Sequence, residues 1–267
     1  AFPVSRLGLI LQRWLVSRVD GLTVLTNILA EQYVTLGAKP ERVCVVADAV
    51  ALDLFRKRDK IAARHLLDID PASFIVMYVG QMYEWKGVET LIDAASLLPE
   101  NTQVWLVGGT VEELPRIEEH VRRSGAVNIK LAGYVRPNKV PWFLSASDVL
   151  VLPNSGHANV SLYYTSPLKL FEYMAASRPV VASDLPSLRE ILTHEQNALL
   201  VSPDDPKILA SAVLRLLAEP ALGQRLAAEA RQLVTEYTWD NRALRILEFI
   251  DQDFLDKHPS TSRSSTT

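Results

Sequence analysis

The middle of the chain alternates short apolar runs with amphipathic segments, a pattern typical of a parallel α/β sheet. The run Phe74–Val79 is almost wholly apolar, and the segment after it has an apolar stripe at helical spacing from Val88 to Ala95. Right-handed crossovers would join all the predicted strands in one Rossmann-like, doubly wound sheet. The predicted strands are Val43–Ala47, Phe74–Val79, Gln103–Val107, Ile129–Ala132, Val149–Leu152, Val180–Ala182 and Ala198–Val201, and the helices lie near 86–98, 111–124, 138–146, 167–176, 186–192 and 205–217.

Helical flanks are predicted at both ends of this sheet. Before it, segments 7–19 and 28–36 have helical periodicity around a short extended segment, 22–25. After it, two helices at 220–236 and 239–255 follow with no strand between them. The predicted organisation is therefore a flank at 1–46, a central domain at 47–236, a terminal helix at 237–255 and a disordered tail at 256–267, whose end is nearly all serine and threonine.

Composition narrows the classes of function. The chain has 267 residues, 48% of them hydrophobic, so it can bury a substantial core. A net charge of −3 makes nucleic acid an unexpected partner. Cys44 is the only cysteine and the five histidines never fall at ligand spacing, so we expect neither a disulfide framework nor a metal site.

The cellular location follows from the same observations. A single cysteine and the lack of a signal-peptide cleavage pattern predict a cytoplasmic protein. Segment 7–19 is too short to span a bilayer, and we interpret it as an ordinary packed helix. Its basic, amphipathic character leaves open a peripheral association with the inner face of the membrane. The abrupt opening of the chain at Ala1 leads us to expect a fragment.

Two predicted helices begin with a lysine, Lys86 and Lys169, where an acidic residue is usual. A helix N-terminus carries partial positive charge and unpaired N–H groups. A cation there therefore lowers the stability of the helix by roughly 0.3 kcal/mol or more. Two such exceptions suggest that both helices face an anion, and phosphate is the typical one in α/β proteins. Simple solvation of both lysines is the alternative. Both lie at the carboxyl ends of strands, where ligands of such sheets bind.

The helix with Lys169 has a second notable feature. Ser166 is a favoured N-cap and Pro167 a favoured first residue, so we expect the helix to begin there. Glu172 follows Lys169 by three residues, in a segment apolar enough to be mostly buried. A buried carboxylate needs partners, and sugar hydroxyls would be suitable donors, although a surface ion pair with Lys169 is the simpler interpretation. Glu172 on a ribose and Lys86 on phosphate would make a nucleotide site.

These motifs resemble the donor-binding half of family 4 glycosyltransferases, which have the GT-B fold. The likeness runs from about residue 20 to 250. The motifs that carry it, each weak alone, are Gly80-Gln81-Met82, Lys86-Gly87, Pro167-Leu168-Lys169-Leu170-Phe171-Glu172-Tyr173-Met174-Ala175-Ala176, Pro179-Val180-Val181-Ala182, Leu199–Asp205 and Tyr237-Thr238-Trp239-Asp240. The resemblance implies a GT-B C-terminal lobe, with residues 1–46 as a remnant of the acceptor-side lobe and the terminal helix directed toward the missing part.

The resemblance also implies a reaction and a set of site residues. It implies sugar transfer with retention, from a UDP- or GDP-linked sugar to a sugar, lipid or polysaccharide acceptor, without a metal or other cofactor. Lys86 and Glu172 would be the catalytic residues, on the diphosphate and on the ribose respectively. The remaining donor-binding residues would be Gly80, Gln81, Val135, Tyr164, Ser166, Leu168 and Lys169, with the backbone N–H groups of Ser166, Leu168 and Lys169 facing the distal phosphate and the Gly133-Tyr134-Val135 loop lying against the base.

The chain departs from the family pattern at three places. Gln81 stands where the family often has an arginine, which leaves one phosphate cation unless Lys169 compensates. Tyr164 stands where the first glutamate of the family's pair, spaced i and i+8, would be. Asp48-Ala49-Val50-Ala51 replaces the usual Asn-Gly-Val-Asp, at the hinge between the halves.

Other functions stay open. A non-catalytic module that binds a nucleotide sugar and completes a site with a separate acceptor subunit would have the same motifs. An epimerase of the same fold would need an acid/base set that we do not find. Asp68-Ile69-Asp70 could be a metal-binding DxD motif, but it precedes the strand at Phe74 and so lies far from the strand carboxyl ends.

Overall fold

Six parallel strands form the centre of the protein, in the order β5-β4-β3-β6-β7-β8. The structure is a computed structural model and describes residues 6–257. The strands of this sheet are β3 Phe74–Val79, β4 Thr102–Val107, β5 Ile129–Gly133, β6 Val149–Leu152, β7 Val180–Ser183 and β8 Leu199–Val201. The predicted doubly wound α/β sheet is confirmed, and the strand order reverses between β3 and β6.

Both faces of the sheet are covered by helices, because its strands are apolar on both sides. Along β3, Ile75 and Met77 face one apolar core with helices α3, α6 and α8, while Val76 and Tyr78 face another with α4, α5 and α10. These helices are α3 Lys60–Leu66, α4 Val88–Ala95, α5 Leu114–Ser124, α6 Val140–Ala146, α8 Leu168–Ala175 and α10 Pro206–Ala218, with short α7 Asn159–Tyr163 and α9 Pro186–Arg189 between them. The sequence pattern missed α3 and α7, which have seven and five residues.

The prediction that Val43–Ala47 belongs to the main sheet is wrong. Strand β2, Val43–Val45, pairs in parallel with β1, Leu22–Val24, in a separate two-stranded sheet. Its residues are only partly buried, so an apolar run of this length did not reveal which sheet it would join. Helices α1 Arg6–Val16 and α2 Asn27–Thr35 lie next to these strands in the chain.

The N-terminal flank and the C-terminal helix contact each other. Helix α12, Trp239–Lys257, follows α11, Pro220–Leu233. Arg242 of α12 donates to the carbonyls of Val46 and Ala47, and a Cβ added to Gly21 would lie 2.8 Å from the Phe249 ring. The terminal helix therefore leaves the central domain and packs on the flank.

The C-terminal end of the chain differs from the prediction. Helix α12 continues to Lys257, so residues 256 and 257 are helical and not part of a disordered tail. The rest of the predicted tail, 258–267, lies outside the described residues. Within residues 6–257, no helix combines the length and the apolar character needed to cross a bilayer.

Candidate functional site

Four glycines join the ends of neighbouring strands on the carboxyl side of the sheet. Gly80 follows β3 and donates to the Val107 carbonyl at 2.8 Å, while Gly109 donates to the Gly80 carbonyl at 3.1 Å. Gly108 donates to the Gly133 carbonyl at 2.7 Å and has φ +109, and a Cβ on it would collide with the Gly80 carbonyl. Such close approach is possible only without side chains. The strand ends therefore form a backbone platform beside the point where strand order reverses, where ligands of such sheets bind.

Lys169 extends from the first turn of α8 across this platform. Its Nζ donates to the Tyr78 hydroxyl at 2.5 Å and to the Gln81 carbonyl at 3.4 Å, and lies 4.2 Å from the centre of the Tyr78 ring. Burial lowers the pKa of Lys169 well below its usual value, and the charge of Lys86 lowers that pKa further. An arriving anion would stabilise both charged lysines.

Lys86 is buried beside the same strand end. Only 8% of its surface is exposed, its Nζ lies 3.6 Å from the centre of the Trp85 ring, and burial lowers its pKa to about 8. The helical turn that carries Lys86 is tied to the loop after β6, because the Ser155 N–H donates to the Trp85 carbonyl at 3.1 Å. Within residues 7–252, whose side chains the structure describes, no carboxylate forms an ion pair with Lys86. Its charge is thus available to a ligand.

Glu172 lies one turn after Lys169 and is half-buried. Burial raises its pKa to about 7, and the charge of Lys169 opposes that rise. The charges of the two side chains interact, but they form no direct ion pair, so the simpler interpretation of a surface salt bridge is wrong. At neutral pH the carboxyl group is close to half ionised, and it can either accept a hydrogen bond or donate one.

Both lysine helices begin differently from the prediction. Helix α8 begins at Leu168, with Pro167 as its N-cap and no side-chain cap. The Ser166 hydroxyl instead accepts a hydrogen bond from the Asp48 N–H at 3.2 Å. Lys86 ends a 3₁₀ turn, Glu84–Lys86, before α4 begins at Val88. The uncapped N–H groups of the first turn of α8 have no carbonyl within that helix to bond, a good arrangement for an anion.

The remaining predicted donor-binding residues are spread around this platform. The Gln81 side chain is exposed, whereas the backbone carbonyl of Gln81 accepts hydrogen bonds from the Tyr78 hydroxyl and from Lys169. Leu168 is 45% exposed, and Val135 packs against the core next to the exposed Tyr134. The roles of these residues stay predictions.

Tyr164 contacts the N-terminal flank. Its hydroxyl accepts a hydrogen bond from the Gln32 side chain at 2.8 Å, across the gap between α7 and α2. Thr26 donates to the neighbouring Tyr163 carbonyl at 3.0 Å. The residue that replaces the family's first glutamate is therefore engaged with the flank, and its predicted contact with the donor stays untested.

Three polar residues near the site were not predicted as site residues. Tyr78 belongs to an apolar strand, a pattern that predicts a core residue. Its hydroxyl nevertheless accepts a hydrogen bond from Lys169. Glu113 accepts from the Thr110 N–H at 2.8 Å, while its other oxygen, Oε1, is buried without a hydrogen bond. The Nδ2 of Asn154, in the loop after β6, is also buried without a partner. The loop was identified from the sequence, but burial of its amide could not be.

The DxD motif is not part of this site. Asp70 accepts hydrogen bonds from the Ala72 N–H at 2.9 Å and the Ser73 hydroxyl at 3.1 Å, in the turn that leads into β3. It therefore stabilises a turn at the amino end of the sheet. Among residues 6–257, no group of three or more His, Cys, Asp or Glu side chains has a metal-binding arrangement.

Known proteins are similar to this chain in both sequence and fold. A family model described as "Glycosyl transferases group 1" matches residues 73–219, more than half of the chain. The chain belongs to this family. A D-inositol 3-phosphate glycosyltransferase from Rhodococcus jostii is 29% identical over 248 residues, which cover 89% of this chain and 53% of that protein. The chain thus spans about half the length of the curated relatives it matches.

Solved structures confirm the fold. Sucrose-phosphate synthase from Thermosynechococcus elongatus superposes with a TM-score of 0.80 at 27% identity, over 96% of this chain and 64% of that one. The Anabaena protein HepE, in complex with UDP, superposes with a TM-score of 0.83 at 19% identity, over 93% and 68%. The prediction that the chain is a glycosyltransferase of this family with the GT-B fold is therefore confirmed.

Proposed function

We propose that this chain is the donor-binding part of a glycosyltransferase that takes its sugar from a UDP- or GDP-linked donor with retention. The observation that carries the proposal is that Lys86, which follows β3, and Lys169, in the first turn of α8, are both withdrawn from water on the carboxyl side of the sheet, without a carboxylate of the described side chains in an ion pair. Burial lowers the pKa of each lysine, and the charge of Lys86 lowers the pKa of Lys169 further, so an anion between them would stabilise both charges. A diphosphate is the anion that fits a glycosyltransferase of this family.

The donor would lie across the glycine platform. Its diphosphate would lie between Lys86, Lys169 and the free N–H groups of Leu168 and Lys169 at the start of α8. Its ribose would contact Glu172, whose carboxyl is half-buried and without an ion pair. The base would extend toward Val135 and the exposed ring of Tyr134. The Anabaena relative in complex with UDP supports this choice of ligand class.

Catalysis would then rest on stabilising the leaving group. As the bond from the anomeric carbon to the diphosphate oxygen breaks, its electron pair stays on the diphosphate. Lys86, Lys169 and the start of α8 would stabilise that growing charge without reorganisation, which is a large catalytic effect when water is excluded. The chain offers no covalent nucleophile in this account, and we propose that neither a metal nor another cofactor is needed.

The acceptor would be bound by a partner lobe. Helix α12 exposes Leu244, Leu247 and Ile250, and α1 exposes Ile10 and Trp14, each more than half exposed. These apolar faces suit an acceptor-binding lobe, and the chain spans only about half of its relatives. The face of α1 would equally suit a membrane surface, which agrees with a lipid acceptor.

A non-catalytic binding module is the alternative. Tyr164 in place of the first glutamate favours it, because the family carboxylate at that position is expected at the donor sugar. A reading frame that encodes an acceptor domain before Ala1 would favour the enzyme.

A panel of UDP, GDP and their sugar conjugates, tested by thermal unfolding, examines the proposal without any acceptor. A ligand at 100 times its Kd stabilises the folded state by about 2.7 kcal/mol, which raises the Tm by roughly 5–10 °C for a chain of this size. We expect a rise with one base and not with matched nucleosides that lack phosphate. A panel with no rise at all would contradict the proposal.

A further inference from the structure

A groove lies at the opposite end of the sheet from the candidate donor site. This groove, of about 1000 Å³, is bounded by residues at the amino ends of three strands, Phe74 of β3, Val149 of β6 and Pro179 before β7. Phe74 precedes Gly80 by six residues of extended chain, so the two sites lie roughly 20 Å apart. The groove therefore cannot be an extension of the donor site.

Cations dominate the charged side chains that line this groove. Lys57, Lys60, Arg178 and Arg231 line it, against a single carboxylate, Asp148. Asp148 is already paired with Lys60 at 2.7 Å and with a buried arginine below it. The other three cations form no ion pair with any side chain of residues 7–252, the part of the chain whose side chains are described. The lining of the groove thus carries more positive than negative charge, and the carboxylates of Asp148 and Asp59 offset only part of the charge of Arg178.

Two of these cations have buried nitrogens without acceptors. Arg178 donates through Nη2 to the Ser145 carbonyl at 2.6 Å, yet its Nε is buried and makes no hydrogen bond. Nη1 of Arg231, on α11, is also buried with no acceptor. A buried donor without a partner costs about 1–3 kcal/mol, and such groups in a native fold call for an explanation. Guanidinium groups match oxyanions such as phosphate in geometry and charge.

The rest of the groove is mixed, with an apolar wall beside polar side chains such as Gln224 and Gln232. Besides the strand residues, Leu216 of α10 and Ala227 of α11 form its wall. The volume lies at the upper end of the range of small-molecule sites, about 300–1000 Å³. It is larger than a bare phosphate requires, so the wall would contact an organic group attached to the anion.

We infer that this groove is a binding site for a phosphomonoester with a compact organic body, separate from the donor site. The phosphate lies against Arg178 and Arg231, Lys57 adds long-range attraction, and the body packs on the apolar wall. Such a ligand connects α11 to the amino ends of β3, β6 and β7, and so stabilises the sheet from the side opposite to catalysis.

Phenyl phosphate is a suitable probe, with phenol and inorganic phosphate as its two halves. Titrated into the ¹⁵N-labelled chain saturated with UDP, it should shift the amide signals of Ser177, Arg178 and residues 227–232. Its affinity should exceed that of inorganic phosphate, and phenol should not bind. Shifts confined to the surroundings of Lys86 and Lys169, or equal binding of phenol, would overturn the inference.

Substitutions in α11 provide the matched comparison. Arg231→Gln should weaken phenyl phosphate binding at least tenfold, whereas Arg225→Gln, on the same helix but outside the groove lining, should leave it unchanged. Lys57→Gln, on the exposed opposite wall, should weaken it at least threefold and serves if Arg231→Gln does not fold. Wild-type affinity in both groove variants would refute the site. Since Lys86→Ala leaves the groove intact, failure of the donor proposal would not remove this binding.

Discussion

Gly80 leaves the space that Lys169 occupies. A Cβ on Gly80 would collide with the Lys169 side chain, where even the more distant Cδ would lie only 3.0 Å away. Gly80 also has φ +141, a conformation that side chains disfavour. The glycine after β3 and the lysine at the start of α8, 89 positions later in the sequence numbering, are thus parts of one arrangement.

Gly80→Ala should destabilise the fold through both strain and collision. Backbone strain of this kind costs about 1–3 kcal/mol, and the collision adds to it. Gly37→Ala is the matched control, since Gly37 has φ +111 with open space around it. Denaturant unfolding should give a larger loss at Gly80, and adding Lys169→Ala should recover at least about 0.5 kcal/mol. Equal losses at the two glycines would mean that Lys169 does not lie there.

Glu172→Gln should weaken UDP binding more than inorganic diphosphate binding. The change keeps the shape of the side chain but removes a carboxylate that accepts from ribose hydroxyls, and such a hydrogen bond to a charged group is worth about 1.5–3 kcal/mol. Calorimetry with the two ligands measures the difference directly. Equal losses for both would count against a ribose contact.

UDP affinity should fall as the pH rises through about 8, the lowered pKa of Lys86. Below that value the ammonium is charged before binding, and above it a proton must be taken up, which costs affinity up to tenfold per pH unit. Lys86→Arg should flatten the curve, because arginine stays charged throughout. Titrations from pH 7 upward keep the terminal phosphate of UDP mostly ionised, because its second pKa is about 6. The same slope in the wild type and in Lys86→Arg would assign the pH dependence to another group.

Asp148→Ala should be strongly destabilising because it leaves the buried guanidinium of Arg64 without its carboxylate partner. Arg64 is 2% exposed, and Asp148 accepts from it at 2.5 Å and from the Ile75 N–H at 2.7 Å. Breaking a buried pair from one side costs about 3–5 kcal/mol. Asp184→Ala, which breaks an exposed pair with Arg189, should cost less than about 1 kcal/mol. Similar costs in denaturant unfolding would disprove the burial argument.

The sequence predicted most of this architecture because the periodicity of hydrophobic positions and the apolar runs reflect which residues are buried. Every strand of the main sheet was located, whereas α7 and the separate pairing of β2 were not, since short and half-buried elements depend on tertiary neighbours. Lys86 and Lys169 were found from unfavourable charge at helix starts. The Tyr78 hydroxyl could not be, because a tyrosine within an apolar strand has the pattern of a core residue.

Calorimetry of UDP with wild type and Lys86→Ala tests the central claim most directly. If Lys86 and Lys169 enclose a diphosphate, the substitution should weaken binding at least tenfold, on the order of 1.4 kcal/mol. Lys130→Ala, at an exposed position on the edge strand β5, should leave the affinity unchanged. Unaltered UDP affinity in Lys86→Ala would contradict the account.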